Sequence, residues 1–137
     1  GMEKVAVESA SREGTRADLT FSYEGRECNV ELKTCNTNWR IECVLSNTRP
    51  ITKNIAGVIL DAMKLSKCTG CGIVALCLFP VPSNDSRWTT YINRIAEETG
   101  VSLSIADHTS RVPIQVSPHH TADVVVVTFV ATQTIKG

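Results

Sequence analysis

Three side chains in the first quarter of the chain, Asp18, Glu31 and Lys33, are of the types that hold a metal ion and handle a phosphate. Their neighbours fix how they can meet. Ala17, Leu19, Phe21 and Tyr23 alternate with Asp18, Thr20 and Ser22, and after Glu24-Gly25 the residues Cys28, Val30 and Leu32 alternate with Glu27, Asn29, Glu31 and Lys33. A period of two over both stretches predicts a pair of half-buried strands joined by a tight turn. With Glu24 and Gly25 as a two-residue turn, opposed residues have numbers summing to 49. Phe21 then faces Cys28, Leu19 faces Val30 and Ala17 faces Leu32 on an apolar side. On the polar side Ser22 faces Glu27, Thr20 faces Asn29, and Asp18 faces Glu31. A four-residue turn keeps this register, and a three-residue turn shifts it by one. Opposed Cβ atoms lie ~4.5–5.5 Å apart, and like charges there repel. A divalent cation between the two carboxylates turns that repulsion into coordination. Mg²⁺ takes such oxygens while keeping waters for substrate, and a bound cation acidifies its water and stabilises charge on a phosphoryl oxygen. Lys33, about 7 Å along the strand from Glu31, is placed to act on the attacking water or the transition-state charge.

The elements that must position this trio follow from the same periodicities. Residues 2–13 are expected to form a short helix stopped by Gly14. A third alternating run, Trp39, Ile41, Cys43 and Leu45, follows the polar Asn36-Thr37-Asn38 and completes a three-stranded meander. A tight Asn36-Thr37 turn would set Glu42 opposite Glu31 and Arg40 opposite Lys33, extending the charged face. From Pro50 to Lys64 the period becomes helical, with Ile51, Ile55, Val58, Ile59 and Ala62 on one side and Lys53, Gly57, Asp61 and Lys64 on another. The apolar run 73–79 reads as a buried central strand ended by Pro80 and Pro82. A second helix is expected over about 86–99, carrying Trp88, Tyr91, Ile92, Ile95 and Ala96 on one stripe and closed by Gly100. Val101, Leu103 and Ile105 suggest a short strand parallel to 73–79. Residues 106–122, rich in Ser, Thr, Pro and His, read as a long surface loop, and 123–132 as the last strand.

With the order of elements in hand, Gly14-Thr15-Arg16-Ala17-Asp18-Leu19 followed by Glu31-Leu32-Lys33-Thr34, with twelve residues between Asp18 and Glu31, resembles the PD-(D/E)XK (restriction-endonuclease-like) nuclease superfamily. Its members share a helix–three-strand–helix–strand core, matching the order read from residue 2 to residue 79, and the helix ending Asp61-Ala62-Met63-Lys64-Leu65 before a buried strand is also similar. The resemblance implies an α/β fold with a mixed sheet, an αβββαβ core, and an added helix and C-terminal strands. It implies Asp18 and Glu31 as metal ligands, the Leu32 carbonyl as a further ligand, and Lys33 as the catalytic lysine. An acidic residue from the first helix often joins such a site, and Glu8 is preferred here over Glu3 or Glu13. The cofactor would be Mg²⁺ or Mn²⁺, and the reaction hydrolysis of phosphodiester bonds in DNA. A domain this small that cuts a duplex is expected to work as a homodimer. Ala17 stands where the pattern often has Pro.

Composition frames these expectations. The chain has 137 residues, a 42% hydrophobic and a 20% charged share, which suits one globular domain over residues 2–137. Gly1 before Met2 reads as a residue left by tag removal. No apolar run reaches the ~20 residues of a membrane helix, and no signal-peptide pattern opens the chain, so no membrane partner and a cytoplasmic location are expected. The six cysteines are then expected as free thiols, and Cys68-Thr-Gly-Cys71 as a helix-to-strand loop, since no second ligand pair at zinc spacing follows. His108, His119 and His120 fall in the polar loop. Formal net charge is zero, with 10 basic against 9 acidic residues in 1–67 and 4 against 5 in 68–137. A dedicated nucleic-acid binder usually carries an excess of positive charge. That balance favours a rival reading, a noncatalytic nuclease-like fold serving as an interaction module, whereas two opposed carboxylates favour the enzyme.

Overall fold

The computed structural model describes the backbone of residues 2–7 and all of residues 18–42, 44, 50–67 and 70–131. The elements run β1 (Met2–Val7), β2 (Leu19–Tyr23), β3 (Arg26–Asn36), α1 (Ile51–Leu65), β4 (Cys71–Val81), α2 (Trp88–Thr99), α3 (Ile105–His108), β5 (Thr109–Ser117) and β6 (His120–Val130). The strands form one mixed sheet in the order β1-β2-β3-β4-β6-β5, in which β3 and β4 are parallel. This is an α+β arrangement. Among the described residues, no helix is long and apolar enough to cross a membrane.

The hairpin register holds as expected. Leu19 pairs with Val30, Phe21 with Cys28 and Ser22 with Glu27. Glu24 (φ 51°) and Gly25 (φ 75°) are both left-handed, the backbone of a two-residue turn that follows strand twist. Helix α1 buries Ile51, Ile55, Val58, Ile59, Ala62 and Leu65 against the sheet, and α2 adds Trp88, Ile92 and Ile95. Between them and the sheet lies the core, where Val74, Leu76 and Leu78 of β4 meet Val125, Val127 and Phe129 of β6. Gly100 closes α2 in the left-handed conformation, its N–H on the Ala96 carbonyl. At Gly70 (φ 88°), a Cβ would collide with the Glu27 carbonyl oxygen. Only glycine lets the chain enter β4 so close to β3.

Four expectations are corrected. Residues 2–7 form strand β1 rather than the start of a helix, because they pair antiparallel with β2, Val5 with Phe21 and Val7 with Leu19. Residues 8–13 of that expected helix, Glu8 included, and its Gly14 stop lie outside the described residues. The third meander strand does not form at residues 37–42, since the free edge of β3 is taken by β4; Cys43 and Leu45 lie outside the described residues. Instead Trp39 enters the core, its ring tilted at 42° to that of Tyr91 (6.2 Å between centroids) and under the Arg87 guanidinium (4.4 Å). Val101 and Leu103 precede the single turn α3 rather than forming a strand beside β4, where β6 sits antiparallel. The expected loop 106–122 holds β5, the turn at 118–119 and the first residues of β6. The described cysteines Cys28, Cys35, Cys71 and Cys77 are free thiols, and burial pushes Cys35 up to about 11. Cys68 lies outside the described residues.

Candidate functional site

Strand β3 carries the site. On the side that faces the helices, Glu31 and Lys33 are neighbours of Val74 and Leu76 in β4. Asp18 lies just before β2, and its Oδ2 accepts the Leu32 N–H at 2.8 Å. The carboxylate thereby caps the β2–β3 ladder and is held beside Glu31. Lys33 Nζ lies 3.9 Å from Glu31 Oε1 and forms a close ion pair with Asp61 Oδ2 of α1. The helical spacing sets Asp61 on the side of α1 that carries Lys53 and Lys64; the fold brings Asp61 onto β3 while Lys53 and Lys64 are exposed. The signal available was helical spacing. Asn54 and Asp61 are seven apart and share a stripe, and Asn54 Nδ2 donates to the Asn36 carbonyl at 2.9 Å.

The charges are unevenly balanced. Burial, then repulsion from Asp18 and from Asp61, pushes the Glu31 carboxyl above its usual range, against the pull of Lys33 and Lys64. Lys33 is pushed upward, chiefly by its hydrogen bond to Asp61 and with help from Glu31 and Asp18, while burial opposes. Lys33 is therefore a fixed cation at neutral pH, and the strain of crowding sits on Glu31. A carboxyl whose folded pKa lies above its unfolded one contributes stability below the unfolded pKa and loses it as pH rises through the folded value. In metal-free buffer, Glu31→Gln is accordingly expected to raise Tm at neutral pH by a few degrees, on the order of 3 °C. The gain should shrink to nothing as pH falls below the ordinary Glu range. Thermal melts by circular dichroism across pH 4–8 check this, and a pH-independent difference would refute it.

Among the described residues, no group of three or more His, Cys, Asp or Glu side chains is arranged to hold a metal. The side-chain oxygens on this part of the sheet that could serve a cation are those of Asp18, Glu31 and Asn29. Asn29 lies two residues before Glu31 on the same face of β3, opposite Thr20, and its Oδ1 is buried with no hydrogen-bond partner. Carboxylate and amide oxygens are the donors hard cations take. Glu8 lies outside the described residues. Leu32 lends its N–H to Asp18, and its side chain is exposed on the opposite face.

Glu42 and Arg40 do not extend the charged face. Glu42 Oε2 instead meets His120 Nε2 at 3.0 Å, while His120 Nδ1 sits 2.7 Å from Ser117 Oγ, locking the β5–β6 hairpin. His108 pairs locally with Ser104, and Trp88 packs in the core under Arg111. No family model, curated protein or solved structure matches the chain.

Proposed function

We propose that the chain is a small Mg²⁺-dependent phosphodiesterase acting on DNA, built on a restriction-endonuclease-like core. The observation that carries this reading is the crowding at Glu31, where Asp18 and Asp61 oppose one carboxylate beside a lysine held charged. A fold gains no stability from such repulsion, whereas a cation site uses it. The antiparallel β1-β2-β3 unit, α1 and the parallel β4 support the core assignment. Asp18 and Glu31 would hold the metal, with Asn29, two residues before Glu31 on the same face of β3, as a further oxygen donor and the Leu32 carbonyl implied by resemblance. The metal, when bound, supplies Lewis acidity and an activated water. Lys33 then neutralises charge developing on the phosphate oxygens, and its raised pKa makes it a cation rather than a base at neutral pH. Asp61 orients Lys33 as a positioning residue.

Calorimetric titration with Mg²⁺ or Mn²⁺ tests the site. About one or two ions per chain are expected for the native protein, and none for Asp18→Ala or Glu31→Ala. The absence of binding at millimolar metal, alone and with a DNA duplex present, would sink the proposal. The interaction-module reading would then stand. It draws support from the neutral net charge, since phosphate contacts supply most non-specific DNA affinity.

A further inference from the structure

Two cysteines far apart in the chain meet in the sheet. Cys28, near the start of β3, is the register partner of Cys71, the first residue of β4. Partners in a parallel pair send their side chains to the same face, here the one turned away from Val74 and Leu76, which pack in the core. Neighbouring strands run about 4.8 Å apart, inside the ~4.4–6.8 Å that a disulfide spans between Cα atoms. Gly70 draws this end of the pair together, since a Cβ there would collide with the Glu27 carbonyl oxygen one residue ahead of both thiols. Burial pushes the Cys28 thiol up, and the Cys71 thiol beside it adds to the rise through charge and hydrogen bonding, against Arg26. Cys35 and Cys77 lack this placement. Thr34, not Cys35, is the partner of Cys77, so Cys35 faces the core while Cys77 lies on the opposite side of the sheet.

We infer that Cys28 and Cys71 form a reversible dithiol–disulfide pair, oxidised by a hydroperoxide, that fastens β3 to β4 where both strands enter the sheet. Access sets the order of events. Cys71 is partly open to solvent, whereas Cys28 is 6% exposed. The Cys71 sulfur attacks one peroxide oxygen and the O–O bond breaks, leaving a sulfenic acid on Cys71 and releasing the other oxygen as water or an alcohol. The Cys28 sulfur then attacks the Cys71 sulfur and the S–O bond breaks. The Cys28 proton leaves with that oxygen as water. The two thiols thereby give up two electrons, and the hydroperoxide takes them. Side chains of parallel partners run side by side, so the two Cβ atoms start nearer the strand spacing than the ~3.8 Å a disulfide prefers. A bond closed against that separation, with one sulfur in reach of solvent, is open to reduction by a thiol. The pair lies three residues ahead of Glu31 on the other face of β3, and the inference does not rest on the metal site.

Treating the fully reduced native protein with a small excess of hydrogen peroxide tests this. Alkylation with maleimide after unfolding should count two thiols fewer than the six of the sequence, and dithiothreitol should restore all six. A tryptic digest should join residues 27–33 to residues 68–87, with fragment masses placing the bridge at Cys71. This map needs no variant. The bond closes a loop of about 43 residues, so the oxidised protein should melt on the order of 5–10 °C above the reduced one. In Cys28→Ala, dimedone should trap a sulfenic acid on Cys71 that lasts about tenfold longer than in the native protein. Cys71→Ser should leave Cys28 reduced, and Cys77→Ser should form the bond as the native protein does. A bridge from Cys71 to another cysteine, no bridge at all, an unchanged Tm, oxidation of Cys28 in Cys71→Ser or loss of the bond in Cys77→Ser would each overturn the inference.

Discussion

Lys33→Ala is expected to lower nicking of supercoiled plasmid in millimolar Mg²⁺ by roughly 100- to 1,000-fold, the usual cost of removing one preorganised group at a developing charge. The magnitude follows from how firmly the ammonium is fixed. Asp61 holds it from α1, Glu31 stands 3.9 Å away, and its own pKa is raised. Such a charge needs little reorganisation as the phosphate changes. Asp61→Asn gives a different signature. Lys33 would keep its place in the strand but lose the partner that most raises its pKa, so the alkaline limb of the pH–rate profile should move to lower pH. The loss at neutral pH should be smaller, about tenfold. A merely structural Asp61 would lower activity equally at every pH. Lys33→Ala protein that folds, binds metal and retains a third or more of native activity would remove Lys33 from the mechanism.

The largest stability loss is expected at Leu76. It is fully buried in β4, next to Lys33 on one side and Val127 on the other. Leu76→Ala should cost about 3 kcal/mol or somewhat more, the transfer of a buried leucine plus the cavity it leaves between sheet and helices. In urea the midpoint should fall with an unchanged slope, as befits a smaller stability of the same fold. Leu60→Ala on the exposed side of α1, 59% exposed, should stay within about 0.5 kcal/mol of native. Equal losses at the two positions would mean that the core is not where the helices meet β4.

What could be read in advance was what depends on neighbours in the chain. The β2–β3 register follows from alternation on both sides of a Glu-Gly turn, and α1 and α2 from apolar stripes at helical spacing. What failed depended on who stands next in the sheet. Met2–Val7 has no strong strand signature, yet β2 offers an edge and local preference yields to pairing. Trp39–Ile41 alternates as a strand should but finds the edge of β3 occupied by β4. Residues 109–117 look like a loop because almost every side chain is polar or exposed, which is also how an outermost strand looks. Pro113 fits that position, since a sheet edge tolerates a missing donor. At the site, Asp18, Glu31 and Lys33 were legible from the hairpin alone. Asp61 was not, since only the packing of α1 across β3 brings a helix carboxylate to a strand lysine.

The two-residue turn at Glu24-Gly25 has a consequence for how such a site can be inherited. Side chains alternate with a period of two, so lengthening that loop by one residue would slip β2 against β3 and exchange its two faces. Every acidic side chain would still be encoded, at the same spacing within its own strand. Asp18 would nonetheless turn toward the side of the sheet that carries Leu19, Phe21 and Val30, and Leu19 would take its place beside Glu31. Loop length at this hairpin is thus under the same constraint as the ionisable residues themselves. A descendant chain can lose the arrangement without a single substitution in it.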